Sequence, residues 1–270
     1  MPSFTNQATL SYRGNVTISN IVTGELVAVL SATKTALSER YGADDILTYV
    51  ISIVNSGPAP YTGLTMTDDL GAYTYGTGTL TPLTYVDGSL RYFVNGVLQA
   101  TPTPTADAPL TVPGIAVPAG GNALLIYETR VNSFAPLDTE STVTNTATLS
   151  GAGLTTPVQA ASTVNARAAA YLTIGKAVSP ATVAENGTLT YTFTIQNYGN
   201  TAAAETDNVT VSDTFSPILK AISVTYNGVA WTEGTQYTYN AATGAFATTA
   251  GQITVPAASL TRDAATGAVV

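Results

Sequence analysis

Thr144-Asn145-Thr146-Ala147-Thr148-Leu149-Ser150 alternates polar and apolar side chains, and Thr5-Asn6-Gln7-Ala8-Thr9-Leu10-Ser11 repeats six of the seven near the start of the chain. Alternation at period two is the pattern of a half-buried β-strand, and an internal repeat bears on architecture before anything else is read. The copy at Thr144 closes a domain-sized stretch, after which a new one opens with Leu172-Thr173-Ile174-Gly175-Lys176. The copy at Thr5 stands ahead of a matching opening, Leu30-Ser31-Ala32-Thr33-Lys34. The N-terminal segment therefore reads as closing strands detached from a domain body, which assigns that body to another molecule.

Working outward, residues 1–29 read as a hairpin. Ala8 to Tyr12 forms one strand, Arg13-Gly14-Asn15 the turn, and Val16 to Ile18 with Ile21 and Val22 the return. A lone hairpin is marginal in water, so its side chains Phe4, Ala8, Leu10, Tyr12, Val16, Ile18, Ile21 and Val22 are the candidate donor-strand contacts. Residues 30–167 read as a first β-sandwich of many short strands. The strongest is Ile46 to Val54, followed by Leu64 to Asp68, Leu90 to Val94, an Asn95-Gly96 hairpin turn, Ala123 to Thr129 and Thr144 to Ser150. Residues 168–270 repeat this order, and a constant offset of 142 carries Lys34 to Lys176, Tyr49 to Tyr191 and Asn55 to Asn197. Asp68 finds its counterpart in Asp213, Asn95-Gly96 in Asn227-Gly228, and Ile115 to Pro118 in Ile253 to Pro256. The spacing from Lys34 to Thr144, counted from Lys176, runs beyond Val270, so the second sandwich is expected to be incomplete. No segment carries helical periodicity, and many short strands with turn signals between them indicate an all-β sandwich architecture.

Composition narrows the function. Hydrophobic residues make up 45% of the 270 and charged ones 10%, with a formal net charge of −8. Nine Lys and Arg form no basic stripe, which excludes nucleic acid as a partner. Cysteine and histidine are both absent, removing disulfides, thiol catalysis and imidazole chemistry. No metal or other cofactor is expected. Asp44-Asp45 and Asp68-Asp69 belong to no calcium-loop pattern and read as solvated turns. No run is apolar enough to span a membrane, and the first residues show no standard signal peptide.

Lys176, Ser179-Pro180, Gly187-Thr188-Leu189-Thr190-Tyr191, Asn197-Tyr198-Gly199 and Val209-Thr210-Val211-Ser212-Asp213-Thr214 resemble the bacterial surface repeat known as domain of unknown function 11. The first unit keeps the same pattern, except that it lacks the proline, having Leu37-Ser38-Glu39 there. The resemblance implies tandem immunoglobulin-like sandwiches and extracellular structural work. Sandwich repeats of Gram-positive surface proteins also join an early-strand Lys to a last-strand Asn by a spontaneous amide bond, assisted by a carboxyl group. The matching residues are Lys34 with Asn145 and Asp68, and Lys176 with Asp213 and Asn6 of a neighbouring copy. The same residues have a plainer reading. The lysines are then edge-strand charges facing water, the aspartates are turn formers, and Asn145 hydrogen-bonds a loop.

The leading expectation is a non-enzymatic subunit of an extracellular or cell-surface filament, its partner a second copy of itself, polymerising head-to-tail by donated strands. The alternative is a monomeric adhesion or binding module from a larger surface protein.

Overall fold

A computed structural model describes residues 3–25 and 28–270; of the segment expected over 1–29, residues 1, 2, 26 and 27 lie outside the described part. Among the described residues the chain is all-β, with one short 3-10 turn at Glu205–Asp207 and no α-helix. It divides into two compact units. The first gathers residues 1–136, 142–165 and 263–269, and the second residues 137–141, 166–262 and 270.

The N-terminal segment holds four strands, β1 (Ser3–Asn6), β2 (Thr9–Tyr12), β3 (Asn15–Ile18) and β4 (Val22–Glu25). β2 and β3 are joined by Arg13 and Gly14 at φ of 46° and 82°, the positive-φ pair that lets a two-residue turn follow strand twist. The sequence pattern gives two strands and the structure four, and the reason lies in the register. Thr9 pairs with Ile18, but Asn6 pairs with Val22, so the return limb carries one extra residue at a bulge around Ser19 to Ile21 that splits the ladder. Among the described residues these strands pair only with one another. Their apolar side chains, Phe4, Leu10, Tyr12, Val16, Ile18, Ile21 and Val22, are 54% to 67% exposed.

The first unit continues with β5 (Leu30–Ala36), β6 (Arg40–Tyr41), β7 (Ile46–Asn55), β8 (Tyr61–Asp68), β9 (Tyr73–Tyr75), β10 (Gly78–Leu80) and β11 (Leu83–Tyr85). It then runs through β12 (Arg91–Val94), β13 (Val97–Leu98), β14 (Ala106–Asp107), β15 (Leu110–Val117), β16 (Asn122–Val131), β17 (Thr142–Gly151) and β18 (Val158–Ala166). One antiparallel sheet is ordered β13-β12-β16-β7-β5, with β11 also on β16, and the other β14-β15-β8-β17-β18-β6. Strict alternation along β7, β8, β16 and β17 sends Ile51, Ile53, Leu64, Met66, Leu125 and Leu149 into the core between them, each at most 1% exposed.

The second unit holds β19 (Leu172–Ser179), β20 (Thr190–Asn197), β21 (Ser212–Thr214), β22 (Val224–Tyr226), β23 (Val229–Trp231), β24 (Tyr237–Asn240) and β25 (Ala245–Thr248). A repeated loop joins the two units in kind. Asn55 donates through Nδ2 to the Ala59 and Pro118 carbonyls and accepts from the Gly57 N–H. Asn197 does the same with Thr201, Pro256 and Gly199.

Strand partners differ between the units. β7 lies between β5 and β16, and β8 between β15 and β17, whereas among the described residues β20 pairs only with β19 and β21 only with β25. The consequence shows in burial. Tyr49, Ile51 and Ile53 on β7 are 0% exposed, while their counterparts Tyr191, Phe193 and Ile195 on β20 are only partly buried.

Candidate functional site

In the first unit β5 is an edge strand, yet its alternation turns Lys34 inward, so the edge-charge reading does not describe this residue. Lys34 Nζ donates to Asp68 Oδ2 at 2.5 Å, with both side chains fully buried. The Tyr127 hydroxyl donates to the same carboxylate oxygen at 2.5 Å. Lys34 Nζ also stands 4.8 Å from the centre of the Tyr49 ring and 5.9 Å from that of Tyr127, so aromatic faces replace part of its lost water. Asp68 does form a turn, its other oxygen accepting from the Leu70 N–H, but the turn is not the solvated one expected, because Asp68 is fully buried. The turn and the ion pair use different oxygens.

Asn145 sits on β17 two residues before Ala147, the residue that pairs with Asp68, and so on the same face. It is fully buried, and neither atom of its carboxamide has a hydrogen-bond partner. The Tyr49 hydroxyl is in the same state. Asn145 therefore bonds no loop. Burial pushes the Tyr49 and Tyr127 phenols up, and the nearby Asn145 carboxamide draws both down against it. Burial also lowers the Lys34 pKa, overriding the opposing charges of Asp68 and Asp69. The cluster thus combines an amine of weakened basicity, a carboxylate in contact with it and an unpartnered carboxamide. Those are the groups that amide formation requires. Tyr49 and Tyr127 were not singled out from sequence, because a lone Tyr in an alternating strand looks the same whether it packs or positions a reacting group.

The second unit repeats half of this arrangement. Lys176 Nζ donates to Asp213 Oδ2 at 2.5 Å and lies 4.7 Å from the ring centre of Tyr191. Here the lysine side chain is 42% exposed and the aspartate 17%. Asn6 stands on the exposed N-terminal ladder opposite Val22. Among the described residues no cluster of acidic side chains could hold a metal ion, and no helix is long and apolar enough to cross a membrane.

No family model and no curated protein matches the chain. Among solved structures it is similar to the pilus backbone protein RrgB of Streptococcus pneumoniae, with a TM-score of 0.37 and 14% identity over 46% of this chain and 31% of that one. It is also similar to BcpA, the major pilin subunit of Bacillus cereus, with a TM-score of 0.39 and 11% identity over 94% of this chain and 64% of the other. The N-terminal domain of a Streptococcus gordonii adhesin gives 0.38 and 14%, over 57% and 36%. In each case the match spans less than two thirds of the other protein's length.

Proposed function

We propose that the protein is a structural subunit of a bacterial surface fibre, each copy donating its N-terminal hairpin to the second unit of the next. One observation carries the reading. The hairpin repeats the sequence of β17, and among the described residues β21 of the second unit has an unpaired edge where β8 of the first is covered by β17. An unpaired edge over a half-covered core attracts an added strand through backbone hydrogen bonds and side-chain burial together. Because donor and acceptor lie on different parts of the chain, the contact is head-to-tail and propagates as an open fibre. The motifs shared with exported surface repeats support an extracellular setting.

The same reading gives the buried cluster its work, an amide bond between Lys34 and Asn145. Lys34 passes a proton to Asp68, and the neutral amine attacks the Asn145 carboxamide carbon. The new C–N bond forms as the old one breaks: Asp68 gives its proton to the leaving nitrogen, which departs as ammonia, and takes up the second proton of the attacking nitrogen, so that the amide is neutral and Asp68 ends protonated. A buried cation and an unpartnered carboxamide are exchanged for one neutral linkage, which removes two desolvation costs at once. Lys176, Asp213 and Asn6 of a second copy are the matching set between subunits.

Deletion of residues 1–23 tests the assembly. The truncated chain is expected to stay folded and sediment as a monomer, while the full chain forms fibres visible by electron microscopy. Fibres of normal length from the truncated chain would refute strand donation.

A further inference from the structure

The proposed assembly does not by itself say which open edge the hairpin takes, or in which register. We infer that the hairpin of one copy lies antiparallel along the outer edge of β21 of a second copy, with Ala8 opposite Asp213, Thr9 opposite Ser212 and Leu10 opposite Val211. This rests on the fibre reading and narrows it to one pairing.

The register follows from three observations. In the first unit β17 pairs with β8 as Ala147 to Asp68, Thr148 to Thr67 and Leu149 to Met66. Asp213 holds the place of Asp68, since each takes a lysine Nζ on Oδ2 at 2.5 Å and each pairs on its other side with an apolar residue, Leu110 or Phe246. The hairpin residues Ala8, Thr9 and Leu10 hold the places of Ala147, Thr148 and Leu149 in the repeated sequence. A slip of one residue would turn the whole inward set to the solvent face. In the stated register Phe4, Asn6, Ala8 and Leu10 point inward, as Val143, Asn145, Ala147 and Leu149 do in β17.

That placement sets Asn6 two residues along the strand from the partner of Asp213, on the same face, as Asn145 stands two residues from Ala147, the partner of Asp68. Lys176 is open to water before docking and covered after it, so the link between copies becomes chemically competent only once the strand is seated. The link inside the first unit needs no partner. The competing site is the free edge of β20, the counterpart of the β7 edge that carries β16. Nothing in the hairpin repeats the sequence of β16.

The chain has no cysteine, so engineered pairs, each made in an Asn6→Ala background in which no amide can join the copies, report the register directly. Thr9→Cys with Ser212→Cys places two thiols on directly opposed residues, within disulfide reach. Mild oxidation of the assembled variant is expected to give a ladder of covalent oligomers that collapses on reduction. Thr9→Cys with Thr210→Cys samples a slipped register, and Thr9→Cys with Thr194→Cys samples the β20 edge; neither is expected to form a ladder. A ladder from either of these, or from none of the three in protein that sediments as fibres, overturns the register. Protein that sediments as a monomer at every concentration overturns the fibre reading itself, and the register with it.

Discussion

Asn145 keeps both carboxamide atoms unpartnered inside a packed core, at a cost of about 1–3 kcal/mol for each unsatisfied group. Cores of native proteins rarely hold such a group without a reason, and the proposed amide bond to Lys34 would supply one. Intact-mass measurement of the folded chain is expected to fall short of the sequence mass by one ammonia, and the Asn145→Ala variant is expected to restore it. That variant also frees Lys34 to titrate. A lysine whose folded pKa is lowered leaves the unfolded state holding more protons, so stability climbs with pH between the lowered value and its ordinary 10.5. Tyr49 and Tyr127 act in the opposite sense. Their raised folded pKa values give stability that is present below the ordinary 10.0 and lost as pH rises past it. Denaturant midpoints of Asn145→Ala should therefore rise with pH into the alkaline range and then drop, while the parent, with Lys34 held in the proposed amide, should show only the drop. A rise of equal size in both would mean that no bond had formed. The Lys, Asp and Asn of this cluster were legible from their recurrence at matched positions. Its two tyrosines were not, because recurrence marks residue type and says nothing of which ring faces a charge.

Two-residue turns were the most legible elements of the fold. Asn95-Gly96 and Asn227-Gly228 both sit at positive φ, as that turn type demands. Long strands buried on one face, such as β7 and β16, were equally plain from period-two alternation. Three-residue pieces such as β9, β10 and β11 are too short to show a period. The hairpin's bulge also went unseen, since an extra residue leaves no mark until the opposite strand is known. The Arg13-Gly14 turn gives a test specific to this element. Gly14 sits at φ 82° with nothing within 4 Å of where a Cβ would stand, so Gly14→Val acts through backbone strain alone. The hairpin should lose about 1–2 kcal/mol, slowing assembly at a given concentration while the unfolding transition of the sandwich core stays where it was. A matching fall in core stability would show that the hairpin packs on the body of its own chain.

At the scale of the whole molecule, a net charge of −8 with only 10% charged residues gives copies that repel at long range and have few charges with which to hold each other at contact. Exposed ion pairs contribute little in any case, about 1 kcal/mol or less. Cohesion along the proposed fibre must then come from backbone pairing, apolar burial and whatever covalent link a seated strand permits. These sources separate in detergent. Backbone pairing and apolar burial yield to hot dodecyl sulfate, whereas an amide between Lys176 and Asn6 of the next copy does not. Fibres of the parent are expected to enter a denaturing gel as a ladder after boiling. Asn6→Ala keeps the strand and its apolar contacts, so it should still assemble by sedimentation yet run as a single band when boiled. Lys176→Arg should do the same, because a guanidinium keeps the contact with Asp213 but remains protonated and cannot attack a carboxamide. Ladders that survive either substitution would place the covalent link elsewhere, and fibres that dissolve in the parent as readily as in both variants would leave strand donation as the sole bond between subunits.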